Sequence, residues 1–182
     1  MTPPPARALV GVGSNLAPAR NIAGGLEMLA DQFGALEFST TYVSAALDGL
    51  GDPYWNLAVA FSTGLNWSQL RARLKLIEDL NGRVRGAPPE APVTLDLDLL
   101  VLRGAGGRED EFDLPLDGLA GAGHVLAPLA ELAGDWEHPD AACTIAELWA
   151  RAAPFAPALD IVIPPWAAPV RPRGVDGQAL SV

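Results

Sequence analysis

Apolar and glycine positions run unbroken through residues 8–13 (ALVGVG), the pattern of a buried strand ending at glycine. From Asn21 to about Phe33, Ile22, Leu26, Leu29 and Phe33 recur at helical spacing, and Gly34 closes the segment. Residues 36–45 (LEFSTTYVSA) are rich in β-branched and aromatic side chains and predict a strand. The turn residues of DGLGDP (48–53) separate it from a further strand at 54–62 (YWNLAVAFS). Asn66 is an N-cap for a helix over 67–81, with Leu70, Leu74, Ile77 and Leu80 as its stripe and Asn81-Gly82 as its stop. A proline-rich loop, 83–93, leads into a fourth strand at 94–102 (TLDLDLLVL). Glycine-rich residues 103–123 predict irregular structure, and short helices follow near 126–133 and 144–152.

The order β-α-β-β-α-β predicts an α+β fold of the ferredoxin-like, split βαβ kind, with two helices on one face of a twisted sheet and the other face open. Residues 1–7 read as a flexible leader, 8–163 as one domain and 164–182 as a Pro/Gly-rich tail, extended or disordered. A length of 182 residues with 49% hydrophobic content suits one domain with a full core.

Charge narrows the chemistry. The net charge is −10, which excludes the basic patch of a nucleic-acid binder and the basic face of a membrane-surface protein. No apolar run reaches the roughly 20 residues of a membrane helix, and the prolines of MTPPPARALVGVG displace the apolar core of a secretory signal. A cytoplasmic location is the expectation. The one cysteine, Cys143, excludes an internal disulfide framework and reads as a small buried residue. Lys75 is the only lysine, so there is no glycine-rich phosphate loop ending in Gly-Lys; phosphates would be handled by arginine, metal ions and backbone N–H groups. The sequence does not specify an oligomeric state.

One stretch breaks the apolar pattern. Alternation points Leu95, Leu97 and Leu99 towards the helices, and Thr94, Asp96 and Asp98 the other way. The two carboxylates then lie about 6–7 Å apart along the strand. Such a pair suits Mg²⁺, which takes carboxylate, water and phosphate oxygens, and two such ions are a known phosphoryl-transfer arrangement. A solvated edge strand is the alternative. Arg83 and Arg85, in the loop entering this strand, suit phosphate oxygens, or else pair with Glu78 and Asp79. Gly-Ser-Asn at 13–15 ends the first strand with residues small enough for a ligand to approach the backbone, or is a plain turn. Tyr54 and Asn56 place a ring and an amide on one strand face, suited to a heterocycle or to ordinary packing.

VGVGSNL (10–16), YWNLAVAF (54–61), IEDLNGRVRGAPPEAPVTLDLDLLVL (77–102), LP (114–115), APLAELA (127–133) and HPD (138–140) together resemble the 6-hydroxymethyl-7,8-dihydropterin pyrophosphokinase family of folate biosynthesis. The resemblance covers about residues 8–165. It implies the ferredoxin-like fold and transfer of pyrophosphate from ATP to the pterin's hydroxymethyl group, releasing AMP. It further implies that Asp96 and Asp98 hold two Mg²⁺ ions, and that Arg83, Asp96 and Asp98 carry catalysis. Glu78, Arg83 and Arg85 would lie on the ATP side. Ser44, Ala45, Leu47, Tyr54, Asn56 and His124 would form the pterin pocket.

The chain departs from the family where an Arg-Trp pair and a further Arg are usual: Pro89, Glu90 and Val93 stand there. Pro115-Leu116 replaces a Pro-His motif, and Ala122 and His124 occupy positions expected to hold Arg and a stacking Phe. His124 is a replacement ring or a surface histidine. Arg103, Arg108, Arg171 and Arg173 are the arginines offered as substitutes for the lost charge, and His138 reads as structural. These departures leave two rivals to a fully active enzyme: a non-catalytic relative that binds pterin or nucleotide, and a ferredoxin-like regulatory module with solvated aspartates.

Overall fold

The computed structural model describes residues 5–46, 51–88, 91–104, 111–114 and 119–167. Leu47, Pro89, Glu90, Arg108, Pro115, Leu116, Arg171 and Arg173 lie outside the described residues. Strand β1 (Ala6–Ser14) leads into helix α1 (Pro18–Phe33), then β2 (Glu37–Phe38), β3 (Thr41–Ser44) and β4 (Tyr54–Thr63). Helix α2 (Trp67–Leu80) and β5 (Asp96–Arg103) complete the repeat. β6 (Glu111–Phe112), α3 (Gly123–Ala133), the hairpin β7 (Glu137–His138) with β8 (Cys143–Thr144), α4 (Ile145–Ala152) and β9 (Asp160–Val162) follow.

The main sheet runs β6-β5-β1-β4-β3-β9, with β2 also pairing β4, and its pairings are antiparallel. At its centre the order β5-β1-β4-β3 is fourth–first–third–second, consistent with the ferredoxin-like α+β fold. Asn66 caps α2 through a reciprocal box with Gln69. Gly34 and Gly82, both with φ +81°, follow the ends of α1 and α2. Among the described residues, no helix is long and apolar enough to cross a membrane.

Several expectations need correction. The strand predicted over 36–45 is broken at Ser39-Thr40, because the Ser39 hydroxyl takes the Ala58 N–H while Glu131 takes the Thr40 N–H. Leu80, assigned to the buried stripe of α2, is 64% exposed. The region 103–123 contains β6, and β1 begins at Ala6, inside the segment read as leader. Trp166, inside the segment read as tail, packs on the core with its ring 6.4 Å from Trp55.

The largest correction concerns the sheet face opposite α1 and α2. It was expected to be open, but α3 and α4 cover half of it. Ala8, Val10, Val12, Leu57, Val59, Phe61, Leu95, Leu97 and Leu99 form the core under α1 and α2. Leu9, Ala60, Leu100 and Val101 form a second core with Leu129, Ala133 and Ile145 on the other face. A bulge makes the switch: Val10 pairs Leu99 and Leu9 pairs Val101, so Leu100 is the extra residue and sits on the α3 side with Val101.

The packing of α1 against Leu95, just before β5, is tight at Gly25, where a Cβ would lie 2.6 Å from Leu95 Cδ2. Gly25→Ala gains up to about 1 kcal/mol of helix propensity but overpacks a fully buried leucine, which costs about 1–3 kcal/mol. The clash wins, and thermal unfolding should show Tm lowered by roughly 2–6 °C. An unchanged or higher Tm would mean that Leu95 can yield.

Candidate functional site

The uncovered half of the second face is a cleft of about 90 Å³, floored by three adjacent strands and walled by the first turns of α3. Cross-strand register builds its floor. Gly13 on β1 lies opposite Asp96 on β5 and Asn56 on β4. One row further along, Gly11 lies opposite Asp98 and Ala58. With strands about 4.8 Å apart, the backbones of Asn56 and Asp96 are about 10 Å apart with a glycine between them. A Cβ on Gly13 would rest against Asn56 Oδ1 at 3.4 Å, and one on Gly11 against Leu100 Cδ1 at 3.4 Å, so glycine at both positions leaves that space to the cleft.

Each carboxylate on this floor faces its own cation. Arg83 Nη2 is 3.6 Å from Asp96 Oδ1, and Lys75 Nζ is 3.8 Å from Asp98 Oδ1. Both are loose ion pairs, longer than hydrogen bonds. Removal from bulk water and then the neighbouring Asp96 raise the Asp98 pKa above the ordinary carboxylate value, while Lys75 opposes the rise. The donor set is hard oxygen on one face, and its two charges repel, so it fits a divalent cation. Among the described residues, no group of three or more His, Cys, Asp and Glu side chains forms a metal cage. The protein would therefore supply two carboxylates, leaving the other ligand positions to water and substrate oxygens.

Behind the floor stands Glu78, fully buried on α2. Its Oε1 accepts the Leu97 N–H at 2.8 Å and Lys75 Nζ at 2.6 Å, and its Oε2 accepts Arg85 Nη2 at 2.9 Å. Glu78 therefore reaches the cleft through its partners. Arg85 also donates to Asp79 and to the Lys75 carbonyl, the pairing that the sequence left open for it. These partners raise the Arg85 pKa, the Glu78 hydrogen bond most. Arg83 is less committed: its Nη1 is buried and makes no hydrogen bond.

The loop bearing both arginines encloses a second hollow, of about 290 Å³, between Arg83 and Val93. Its far end is stapled by the residues that follow Gly13. Asn15 Oδ1 accepts the Val93 N–H at 2.6 Å, while the Asn15 and Leu16 N–H groups and the Ser14 hydroxyl all donate to the Val93 carbonyl. Ser14 and Asn15 are buried, so part of the Gly-Ser-Asn motif holds the loop in place.

On the β4 side, Asn56 Nδ2 donates to Ser44 Oγ at 3.0 Å and to the Tyr54 carbonyl at 3.3 Å. Ser44 pairs with Tyr54 across β3 and β4, and Ala45 follows, exposed. His124, in the first turn of α3, lines the cleft with Asn56, Asp96 and Asp98. Desolvation lowers its pKa, against a hydrogen bond to the Gly121 backbone that raises it. Glu131, two turns further along α3, fastens the helix to β3 by accepting from the Tyr42 hydroxyl at 2.7 Å and the Thr40 N–H at 2.9 Å. Desolvation, with Glu131 adding to it, pushes the Tyr42 pKa up to about 12.

The structure thus gathers Asn56, Asp96, Asp98 and His124 in one cleft, with Arg83 against Asp96. It does not bring Arg103 there: that residue ends β5, about 23 Å along the strand from Asp96, and stacks on Trp136 at 4.7 Å. Ala122 ends a 3₁₀ turn before α3. His138 is buried, with Nε2 2.9 Å from the Leu114 carbonyl and Nδ1 accepting the Asp140 N–H, and Cys143 is buried too. Sequence reasoning missed Lys75 as part of the site; its place one turn before Glu78 on α2 was the available signal.

The family model for 7,8-dihydro-6-hydroxymethylpterin-pyrophosphokinase matches residues 9–134, which span β1 to the end of α3. A protein of Synechocystis sp. named 2-amino-4-hydroxy-6-hydroxymethyldihydropteridine pyrophosphokinase is 33% identical over 144 residues, covering 78% of this chain and 73% of that protein. With a match spanning the sheet, the carboxylate pair and the wall of the cleft, the chain belongs to the 7,8-dihydro-6-hydroxymethylpterin-pyrophosphokinase family, diphosphotransferases of folate biosynthesis.

Proposed function

We propose that this chain transfers the β,γ-pyrophosphoryl group of ATP to 6-hydroxymethyl-7,8-dihydropterin, with two Mg²⁺ ions at Asp96 and Asp98. The observation that carries the reading is the row Asn56–Gly13–Asp96 across three strands, in which the backbones of an amide-bearing and a carboxylate-bearing residue stand about 10 Å apart with a glycine between them. The pterin hydroxymethyl oxygen bonds to Pβ and gives up its proton to solvent, while the bond between Pβ and its bridging oxygen to Pα breaks, so that oxygen leaves with AMP. Bound Mg²⁺ would neutralise phosphate charge as that exchange proceeds.

The chain's own residues supply position and charge. Asn56 reads the pterin edge, and its amide is oriented by Ser44 and the Tyr54 carbonyl. His124 offers a neutral ring for the pterin face, and Ser44, Ala45 and Tyr54 complete the pocket. Glycine at 11 and 13 leaves the floor flat enough for substrate. Arg83, whose guanidinium meets Asp96 only at 3.6 Å, is free to take phosphate oxygen. Arg85 and Glu78 lie on the ATP side, where Glu78 holds Arg85 and Lys75 in place. A location in the cytoplasm fits these small-molecule substrates.

Pterin-dependent AMP release in the presence of Mg²⁺ tests the reading directly. Asp96→Ala and Asp98→Ala should each lower kcat by about 10²-fold or more, with the fold intact by circular dichroism. Wild-type protein that binds pterin but releases no AMP would make this chain a binding member of its family. Asn56→Ala should raise the pterin KM by roughly tenfold while moving the ATP KM little; equal effects on both would remove Asn56 from pterin recognition.

His124 gives a pH prediction. Its folded pKa lies below its ordinary value, so on acidification the unfolded chain takes up this proton before the folded one does. Its contribution to stability is complete above pH about 6.5 and falls as pH drops towards the lowered folded value. Chemical denaturation between pH 7.5 and 5.5 should show His124→Phe losing less stability than wild type, by about 1 kcal/mol or less. Parallel curves would mean that His124 titrates normally.

A further inference from the structure

Lys75 is the chain's only lysine, and the structure places it between Glu78 and Asp98, with Nζ 2.6 Å from the first and 3.8 Å from the second. Charge compensation of Glu78 does not by itself require it. That buried carboxylate already holds Arg85 at 2.9 Å and the Leu97 N–H at 2.8 Å. Lys75 is also reachable, with about a third of its side chain exposed. Arg85 is tied to three acceptors on α2, so it is the least free cation at the site. Two cations remain that face the cleft floor loosely: Arg83 over Asp96 and Lys75 over Asp98.

We propose that Lys75 is a phosphate-binding residue that works as a pair with Arg83, each cation moving from its carboxylate to a nucleotide phosphate when that carboxylate becomes a metal ligand. The proposal deepens the reading above and rests on it. Each carboxylate holds a positive partner until a divalent ion takes its charge, and the freed ammonium or guanidinium then meets the incoming phosphate, so no charge is left unpaired at either stage. Lys75 suits the task as a compact point charge on a flexible stem, anchored near Asp98 by Glu78.

The test is calorimetric titration with Mg²⁺ and an ATP analogue carrying a methylene between Pα and Pβ, with pterin titrated separately. Lys75→Gln retains a hydrogen-bonding group for Glu78 and removes the charge. It should weaken analogue binding by roughly tenfold, leave pterin affinity within about twofold, and be largely rescued by Lys75→Arg. Should Lys75→Gln not fold, Lys75→Met removes the charge while Arg85 and the Leu97 N–H still meet Glu78, and serves the same comparison. Analogue affinity unchanged in the charge-free variant overturns the proposal, as does an equal loss of pterin and analogue binding that Lys75→Arg does not restore. Wild type that binds the analogue yet makes no AMP overturns the pyrophosphokinase reading, and the binding comparison still decides Lys75. Wild type that binds no analogue overturns both.

Discussion

The site hangs on one buried carboxylate. Glu78 is fully enclosed, and an unpaired charge in that position would cost several kcal/mol. It is instead met by the Leu97 N–H, Lys75 and Arg85. The Leu97 bond ties α2 to the strand between the two aspartates, so the helix cannot shift relative to the carboxylate pair without exposing an unsatisfied charge. The same contact fixes where Lys75 and Arg85 stand. A fold-stabilising interaction and the charge layout of the cleft are thus one network.

A second constraint is that one sheet face serves two purposes. Its lower half is core, sealed by α3 and α4 against Leu9, Ala60, Leu100 and Val101. Its upper half is a polar floor of Gly11, Gly13, Asn56, Asp96 and Asp98. The bulge at Leu100 lies at the boundary, where strand β5 stops presenting carboxylates and presents two successive apolar side chains to α3. Helix α3 belongs to both halves: Leu129 and Ala133 bury themselves in the core, while His124 and Val125 wall the cleft. Glu131, gripping Tyr42 and Thr40, holds that wall against β3.

The loop 83–93 shows how a turn motif can act at a distance. Ser14 and Asn15 do for Val93 what a partner strand would do, satisfying its N–H and carbonyl together. That anchoring delivers the chain directly into TLDLD, so the end of β1 and the start of β5 are held in one relation. The arginines at the other end of the loop are held unequally, and this inequality, Arg85 bound to three acceptors and Arg83 with a bare Nη1, is the electrostatic character of the site.

Local pattern alone determined the β-α-β-β-α-β order, the capping of α2 by Asn66, and the sidedness of Leu95, Leu97 and Leu99 against Asp96 and Asp98, because periodicity and capping depend only on near neighbours. It also brought forward Asn56, Arg83 and the aspartates, since each breaks an apolar or loop pattern in a way that has chemical meaning. Tertiary structure decided the rest. The break in the strand at Ser39 depends on side chains donated and accepted across the sheet, and the covered half-face depends on where α3, later in the chain, comes to rest. The role of Lys75 was hidden for the same reason: on α2 it is one cation among several, and only the packing of α2 on β5 puts it beside Asp98. Contacts between residues far apart in sequence leave no periodic trace, so register and helix docking had to reveal them.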